Sequence, residues 1–433
     1  MNDIVYITTD LAEAVKRFGR FHLAGSALLP EDQITSLQKT PGGLLLKAVH
    51  PELQFSERWE NAELARLPLA DNFEFQVSTE VVLQLIKGFS KEAPLELGVA
   101  KEGLHLRNGE NVSVAPWLAY HKLPPVEAVD DLLGEAIPPE KPTGELNLSF
   151  LSKQVTRLKS LLKCIPAETL LPTLSGLQIR YRGEEPLVFL AGNGNYFADW
   201  CCPVQSGWGQ GLLHLSAPHA EFLVACLESL EPLQLQVYAR YLTLKGSTLE
   251  ARVPLRDKAF PSLRKFQTIR GEQQFQGEAK QFDQALKGLL PLSDDLLPVL
   301  EMVRHYEKNV TFQLYQGGAS QGTVEVEGSL ENFRYLIRSD FLKEIKRLLK
   351  GKIWTWTALE TEPEILRVED DQVRFWFRPM LDPRSDQQIA EENLAQRRQE
   401  ALEEAELGTD QEPEDLLLGG PVEVCPVQCS ELL

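Results

Sequence analysis

The chain has 433 residues, of which 43% are hydrophobic and 25% are charged, and its formal net charge is −19. A chain of this length exceeds one ordinary hydrophobic core and fits two to four domains, and its composition is that of a soluble globular protein. No apolar run approaches the roughly 20 residues that cross a bilayer, and the first residues lack a secretory signal pattern, so neither a membrane nor a secreted protein is expected.

The cysteines and the distribution of charge refine these expectations. Six cysteines in a chain this long do not form a disulfide framework, so we expect reduced thiols and a cytoplasmic protein. Residues 382–433 hold 14 acidic and 3 basic residues, a net charge of −11, which leaves −8 for residues 1–381. This acidic segment is predicted to be a mostly disordered tail. Nucleic-acid binding by residues 1–381 is therefore not excluded by the net charge of the whole chain.

One layout recurs three times along the chain: a short strand, a serine, an amphipathic helix and then alternating strands. The serines are Ser78, Ser216 and Ser339, at intervals of about 120 to 140 residues. Each is predicted to be a helix N-cap, because its oxygen can accept from the N–H groups of the first turn. Each repeat follows another predicted helix, at 9–21, 149–164 and 278–288.

The repeats predict an α+β protein with three similar domains, each made of two helix-plus-antiparallel-strands units. The predicted segments are domain 1 at 1–122, a proline-rich linker at 123–143, domain 2 at 144–265, domain 3 at 266–381 and the tail at 382–433. The period-two alternation of the strands favours antiparallel sheets with helices on one face.

Positive charge is concentrated on the six predicted helices. Together they carry a net charge of +7, so the rest of the chain carries −26. On helix 149–164 the predicted apolar stripe is Leu151, Val155, Leu158 and Leu162, and on helix 339–352 it is Phe341, Ile345 and Leu348. Cations on the other faces suit sequence-independent binding to phosphates, although lysines also simply solubilise exposed helices. The predicted DNA-facing residues are Lys16, Arg17, Arg20, Lys87, Lys153, Arg157, Lys343, Lys346, Arg347 and Lys350.

Several local motifs, in order and spacing, resemble the DNA polymerase III beta subunit, the bacterial sliding clamp. They are Leu174-Ser175-Gly176-Leu177, the strand–turn at 190–198, Asp257-Lys258-Ala259-Phe260-Pro261 with Arg264-Lys265-Phe266 after it, and Arg378-Pro379-Met380-Leu381. The resemblance covers roughly residues 1–381 and is clearest in domains 2 and 3.

The resemblance implies the DNA clamp fold and a non-enzymatic processivity factor. In that family two chains pair head-to-tail into a ring around duplex DNA, a clamp loader opens the ring, and DNA polymerase is tethered to it. The expected partners are therefore double-stranded DNA, a second copy of the chain, DNA polymerase and a clamp loader. No cofactor, metal, membrane or small-molecule substrate is expected.

The resemblance also implies a hydrophobic pocket between domains 2 and 3 that captures a short peptide of a partner. The matching positions are Leu174, Gly192, Gly194, Asn195, Tyr196, Phe197, Pro261, Lys265, Phe266, Trp376, Pro379 and Met380. Asn195 and Tyr196 replace a histidine–arginine pair of the family, and Leu381 replaces an arginine. The pocket is therefore expected to be more aromatic and less basic. Taken alone, Asn193-Gly194 is typical of an ordinary hairpin turn.

The end of the tail resembles the peptides that partners use to bind clamps. Gln428, Leu432 and Leu433 have the spacing of a glutamine followed by a Leu-Leu pair. The hypothesis is that the tail competes with polymerases for the pocket of its own or a neighbouring ring. A flexible tether raises the effective concentration to roughly millimolar, so that even a weak motif can compete.

Two other functions stay open on the sequence alone. One is a divergent clamp-like scaffold that binds protein partners without encircling DNA. The other is a serine hydrolase, because residues 318–322, around Ser320, match the nucleophile-elbow pattern. That elbow needs a strand before it and a helix after it, whereas Thr323-Val324-Glu325-Val326 predicts a strand, so a glycine-rich hairpin is favoured. No catalytic pair or metal-ligand spacing is found among the carboxylates and histidines.

Overall fold

The computed structural model describes residues 4, 6–25, 33–49, 53–68, 75–118, 141–150, 152–166, 176–202, 206–229, 231–256, 273–293, 298–304, 308–315, 321–330, 332–359 and 364–380. The tail and the greater part of the predicted linker lie outside these residues. None of the described helices is long and apolar enough to cross a membrane.

The described elements of domain 1 form two βαβββ units. The first is β1 (Tyr6–Thr9), α1 (Leu11–Ala24), β2 (Ile34–Thr40), β3 (Gly43–Val49) and β4 (Gln54–Glu60), with a short 3₁₀ helix at Leu64–Arg66 after it. The second is β5 (Phe75–Ser78), α2 (Thr79–Lys87), β6 (Leu95–Val99), β7 (Gly103–Asn108) and β8 (Asn111–Pro116).

Domain 2 repeats this order twice. Its first unit is β9 (Gly144–Leu148), α3 (Ser152–Leu162), β10 (Gly176–Arg182), β11 (Leu187–Gly192) and β12 (Tyr196–Cys202). Its second unit is β13 (Ser206–Ser216), α4 (Ala217–Leu227), β14 (Leu233–Val237), β15 (Tyr241–Lys245) and β16 (Leu249–Pro254).

Domain 3 has the same two units. The first is β17 (Gln273–Glu278), α5 (Ala279–Leu289) with a 3₁₀ turn at Leu290–Leu292, β18 (Val299–Arg304), β19 (Asn309–Leu314) and β20 (Gln321–Gly328). The second is β21 (Phe333–Arg338), α6 (Ser339–Leu348), β22 (Ile353–Leu359), β23 (Ile365–Glu369) and β24 (Val373–Phe377). The described chain therefore consists of six βαβββ units, and the predicted α+β class is confirmed.

Two antiparallel sheets each cross a domain junction. In one, β4 of domain 1 pairs with β16 of domain 2, so that four strands of each domain join in the order β5-β2-β3-β4-β16-β15-β14-β9. In the other, β12 of domain 2 pairs with β24 of domain 3, in the order β13-β10-β11-β12-β24-β23-β22-β17. Each of the four strands at these two junctions is the third strand after the helix of its own βαβββ unit.

Two further four-stranded sheets lie at the two ends of this series, in the orders β1-β6-β7-β8 and β21-β18-β19-β20. Among the described strands β8 pairs with β7 alone. Strand β20 pairs with β19 over 321–325 and with β17 only over 326–328. The outer edge of β8 and that of β20 at residues 321–324 therefore pair with no other described strand, while the N–H of Glu325 donates to Oε1 of Gln281 at 3.0 Å.

Helix α6 bears out its predicted apolar stripe, because Phe341, Ile345 and Leu348 are all buried. In α3, Val155 and Leu158 are buried as predicted, but Leu161 is buried in place of Leu162, which is half-buried. The 3.6-residue period allows either leucine to face the core, and packing selects one of them.

The three serine caps have different outcomes. The Oγ of Ser78 accepts from the N–H of Val81 at 3.4 Å, and the Oγ of Ser216 accepts from the N–H of His219 at 3.4 Å. The third prediction was wrong, because Ser339 is already the first residue of α6 and Arg338 precedes it as the cap. Asp340 in the first turn accepts from the N–H of Phe341 instead, at 3.0 Å.

Candidate functional site

The six helices form a connected series along the domains. Helix α1 packs against α2 and against α4, and α3 packs against α4 and against α6. An ion pair between Lys346 and Asp283, at 2.8 Å, joins α6 to α5. The cations predicted on separate helices therefore lie on neighbouring elements.

Most of the predicted DNA-facing cations are accessible to solvent. Five lysines are exposed, namely Lys16, Lys87, Lys153, Lys343 and Lys350. Arg157, Lys346 and Arg347 are partly exposed. Arg347 forms an ion pair with Glu344, so it offers less free charge than an unpaired guanidinium.

Two predicted cations are not available to phosphates, and the prediction was wrong for them. Arg17 is 8% exposed and Arg20 is 7% exposed, and both pair with the carboxylate of Glu57, which is 2% exposed. The Nε of Arg20 donates to Oε2 of Glu57 at 2.9 Å. Burial alone would lower the pKa of Arg20, but its hydrogen bond to Glu57 and the charge of that carboxylate raise it. The two guanidiniums neutralise a carboxylate inside the chain instead of facing solvent.

A cleft of about 660 Å³ lies between α3 and α6, at the junction of domains 2 and 3. Its basic lining residues are Lys153, Arg157, Arg347 and Lys350. Gln154, Gln372, Trp200, Leu348, Thr156 and Ser160 complete the described lining, none of which is acidic. This arrangement presents donors and positive charge to an anion.

The hairpin between β23 and β24 fixes one side of this cleft. The carboxylate of Asp370 accepts from the backbone N–H groups of Lys350 and Gly351, both at 2.8 Å, and from those of Gln372 and Val373, at 2.9 and 2.7 Å. It therefore ties the end of α6 to the hairpin. The side chain of Gln372 in turn accepts from Arg157 of α3.

The β11–β12 connection is the hairpin turn that Asn193-Gly194 predicts. The N–H of Asn193 donates to the carbonyl of Tyr196 at 3.2 Å, and Oδ1 of Asn193 accepts from the N–H of Asn195 at 3.0 Å. Gly194 has φ +91°, a left-handed conformation that glycine adopts without strain. The turn holds Gly192 and Phe197 as neighbours at the ends of two paired strands.

Part of the predicted peptide pocket is brought together at the β12–β24 junction. Phe197 is half-buried and pairs with Trp376, which is 3% exposed, and Gly192 lies on the far side of Phe197. Met380 is 42% exposed, and its backbone N–H donates to the carbonyl of Leu336 at 2.8 Å. Pro379 is half-buried. The predicted pocket residues Leu174, Pro261, Lys265 and Phe266, and the tail residues Gln428, Leu432 and Leu433, lie outside the described residues.

Tyr196 was wrongly predicted to line a surface pocket. Its side chain is 6% exposed and turns into the core, with ring centroids 4.9 Å from Phe375 and 5.4 Å from Phe341. Burial raises the pKa of its phenol, and the nearby thiol of Cys164 raises it further. Consecutive strand residues face opposite sides of a sheet, so Phe197 faces outward where Tyr196 faces inward.

The structure around Ser320 does not fit the hydrolase elbow. Ser320 lies outside the described residues, but β19 and β20 on either side of it form an antiparallel pair, with Gln313 opposite Gln321. A strand, and not a helix, therefore follows the serine. No group of three or more His, Cys, Asp or Glu side chains within the described ranges could hold a metal ion.

The buried thiols are also unsuited to nucleophilic chemistry. Burial raises the pKa of Cys164 to about 11 and that of Cys202 to about 12. Consecutive strand residues face opposite sides of a sheet, and accordingly Cys202 is buried while Cys201 is only partly so. A thiol with so high a pKa is protonated near neutral pH and inert.

Trp200 and Gln372 line the cleft and were not among the predicted residues. Each belongs to a strand or hairpin whose sequence carries no basic residue pattern. Only the register of β12 against β24 brings them beside α3 and α6. A comparison of the six repeats by strand position could have located them, whereas a search for cations could not.

Comparison with solved structures identifies the fold as that of DNA sliding clamps. More specifically, it is the fold of the bacterial DNA polymerase III beta subunit. The subunit from Thermotoga maritima superposes with a TM-score of 0.70 at 13% sequence identity, covering 87% of this chain and 99% of that one. The subunit from Pseudomonas aeruginosa gives 0.65 at 15% identity, covering 87% and 100%.

A Helicobacter pylori beta clamp bound to a DNA ligase peptide gives a TM-score of 0.65 at 12% identity, covering 87% of this chain and 100% of that one. No protein-family model matches the sequence, and no curated protein matches it either. The likeness to these solved structures is therefore one of fold, at 12% to 15% sequence identity.

Proposed function

We propose that this protein is a DNA sliding clamp, a processivity factor whose head-to-tail dimer encircles duplex DNA and tethers DNA polymerase and other replication proteins. The clamp fold over 87% of the chain supports this function. The observation that carries it is the pair of open strand edges at the two ends of the repeat series. They are β8 and β20, the same strand positions that form both internal domain junctions.

Head-to-tail pairing of β8 with β20 would satisfy both edges. Strand β8 is equivalent to β16 and β24, and β20 is equivalent to β4 and β12, because each holds the same place in its βαβββ unit. The same pairing made twice between two chains closes a ring with no remaining edge. The exposure of Val112 (52%) and Val114 (38%) on β8 fits a surface that a partner strand covers.

The hairpins before β8, β16 and β24 align these strands with one another. The residue pairs that close these hairpins are Asn108–Asn111, Gly246–Leu249 and Asp370–Val373. Asn111, Leu249 and Val373 therefore hold equivalent places in β8, β16 and β24. At the two internal junctions, Leu249 pairs with Glu57 and Val373 pairs with Trp200.

The cross-strand ladders of the first units identify the equivalent of Glu57 and Trp200 in domain 3 as Gly322. In each domain, the last strand residue before the second helix pairs with a residue of the first unit: Ser78 with Ile34, Ser216 with Gly176 and Arg338 with Val299. Each ladder begins three residues after that partner, at Leu37, Ile179 and Met302. The ladders are Leu37–Leu46–Glu57, Ile179–Phe189–Trp200 and Met302–Phe312–Gly322. The inferred register across the dimer is therefore Gly322 opposite Asn111 and Gln321 opposite Val112.

Cross-linking tests this register. A chain with Val112→Cys and Gln321→Cys, treated with a short bismaleimide, is expected to yield covalent dimers because directly opposed residues have Cβ atoms about 4.5–5.5 Å apart. The controls are the two single variants and a double variant that moves one cysteine to exposed Val81. Cross-linking no faster than in these controls would contradict the register.

The exposed lysines of the helices would line the channel of this ring and contact phosphates without reading bases. Acidic charge elsewhere would discourage binding of DNA to the outside. The alternative is a clamp-like scaffold that does not encircle DNA, and the burial of Arg17 and Arg20 favours it by removing two cations from the lining. Light scattering separates the two functions, because the scaffold would be a monomer of 48.7 kDa and the clamp a dimer of twice that mass.

Partner proteins and a clamp loader would dock at the pocket beside Phe197, Trp376 and Met380. Phe197→Ala is expected to weaken binding of a glutamine–Leu-Phe client peptide at least tenfold, because it removes an apolar wall of the slot. Leu212→Ala, at a side chain 60% exposed on β13, is the matched control. Fluorescence anisotropy of the labelled peptide measures both, and equal affinities would argue against this pocket.

The tail hypothesis is tested in the same assay. Leu432→Ala with Leu433→Ala is expected to tighten client binding if residues 428–433 compete for the pocket, whereas Ser430→Ala serves as a control. Unchanged affinity in the double variant would refute the hypothesis.

A further inference from the structure

The cleft between α3 and α6 contains buried hydrogen-bond donors that lack acceptors. Trp200 lines it and is 1% exposed, and its indole Nε1 is buried with no hydrogen-bond partner among the described residues. The Nε of Arg347, in the same lining, is also buried and unpartnered within this part of the chain. A buried donor without an acceptor is costly, so an acceptor that enters the cleft would be stabilised.

The rest of the lining selects an anion as that acceptor. Lys153 and Lys350 are exposed at the mouth of the cleft, and Arg157 is partly exposed beside them. No carboxylate is among the described lining residues, and the one acidic side chain paired with a basic lining residue is Glu344, which forms an ion pair with Arg347. A tetrahedral phosphate has several acceptor oxygens and can satisfy ammonium, guanidinium and indole donors at once.

Cationic charge is scarcer on the other helices. Arg17 and Arg20 of α1 are occupied by Glu57. On α6, which borders the cleft, Lys346 is paired with Asp283 and Arg347 with Glu344. Residues 216–230, which include α4, carry two acids and no base. The accessible cations of the helix series are therefore unevenly distributed, and four of the basic residues line this one cleft.

We propose that the cleft between α3 and α6 is a phosphate site that holds one phosphodiester of the DNA backbone and is the main point at which each protomer grips DNA. This inference rests on the proposed clamp function. It places the main DNA contact of each protomer at the junction of domains 2 and 3, where Trp200 and Arg347 would donate hydrogen bonds to the phosphate.

The salt dependence of DNA binding tests the location of the grip. The probe is a 30-base-pair duplex, and its affinity for the full chain is measured by anisotropy between 50 and 200 mM salt. The slope of log K against log salt is negative, and Lys153→Gln with Lys350→Gln is expected to reduce its magnitude by about 0.9 for each phosphate that the protein no longer neutralises. Two double variants remove equal charge elsewhere: Lys16→Gln with Lys87→Gln on α1 and α2, and Lys101→Gln with Lys245→Gln away from the helices. If the Lys16→Gln, Lys87→Gln control reduces the magnitude of the slope as much as the cleft variant does, the proposal is overturned.

The indole N–H of Trp200 gives a direct readout. One of the seven tryptophan indole signals in a ¹⁵N spectrum of the deuterated full chain is assigned by Trp200→Phe. It is expected to shift on titration with the duplex, and the shift should disappear in the Lys153→Gln, Lys350→Gln variant. A shift with inorganic phosphate but none with the duplex would overturn the assignment to a DNA phosphodiester.

Failure of the phosphate site and failure of the clamp function give different results. Retention on circular DNA with equal salt slopes in all three variants would mean a clamp without this site, which overturns the proposal. A Trp200 shift with duplex in a protein that is not retained on circles would support the phosphate contact and refute encirclement.

Discussion

At the residue scale, the carboxylate of Glu57 determines what two arginines can do. It lies in β4 at the junction with β16, where it is paired with Leu249 and 2% exposed. An isolated charge at such a place is very costly, so both guanidiniums turn inward to neutralise it. Arg17 and Arg20 thus neutralise a buried charge at the domain 1–domain 2 junction, and the proposed DNA contacts would be made by other cations.

Loss of this carboxylate should destabilise the fold strongly. Glu57→Gln leaves two buried guanidiniums with a neutral partner, and we expect the free energy of unfolding to fall by about 3–5 kcal/mol. Urea denaturation followed by circular dichroism measures the change. Glu60→Gln, at an exposed position of the same strand, is the control. If both variants unfold at the same urea concentration, the cluster has no such structural role.

At the scale of elements, the direction of the N–H groups of β8 decides whether the strand can accept a partner. The N–H of Trp117 donates to Glu102, on the β7 side, and that of Leu118 donates to Gln76, on the other side. Because the direction alternates along a strand, the N–H groups of Val112 and Val114 point to the open edge. In the register inferred above, the N–H of Val112 is the donor that Gln321 of a β20 strand in a second chain would meet, whereas the position opposite Val114 lies outside the described residues.

A proline at this edge should therefore prevent association without unfolding the domain. Val112→Pro removes the outward N–H opposite Gln321, and edge positions tolerate proline. We expect the dissociation constant of the dimer to rise at least tenfold, as measured by light scattering over a dilution series. Val112→Ala keeps the N–H and should remain dimeric. Dimerisation unchanged in the proline variant would place the interface elsewhere.

Periodicity predicted the elements far better than it predicted their surroundings. The six helices, the buried stripe of α6 and the Asn193-Gly194 hairpin follow from local pattern and turn chemistry. The burial of Arg17, Arg20 and Tyr196 does not follow from local pattern, because it depends on partners distant in sequence. The partner of the arginines is Glu57, and the partners of the tyrosine are Phe375 and Phe341. Likewise Trp200 reaches the cleft only through the register of β12 against β24.

At the scale of the whole molecule, function would reside in closure and not in any single contact. The six units supply the same strand pairing twice within a chain, and the proposed dimer uses it twice more between chains. A ring held in this way leaves DNA only by opening or by sliding off an end. In the proposed ring, weak phosphate contacts from the helices would keep the duplex centred without stopping movement along it.

The most direct test is retention on DNA of different topology. The protein is loaded onto nicked circular plasmid by a bacterial clamp loader, and half of the sample is then linearised with a single-cutting enzyme before gel filtration in 0.3 M salt. Encirclement predicts that the protein stays with the circles for many minutes and leaves the linear molecules within the time of the column. Equal retention on circular and linear DNA would contradict a closed ring and identify an ordinary DNA-binding protein.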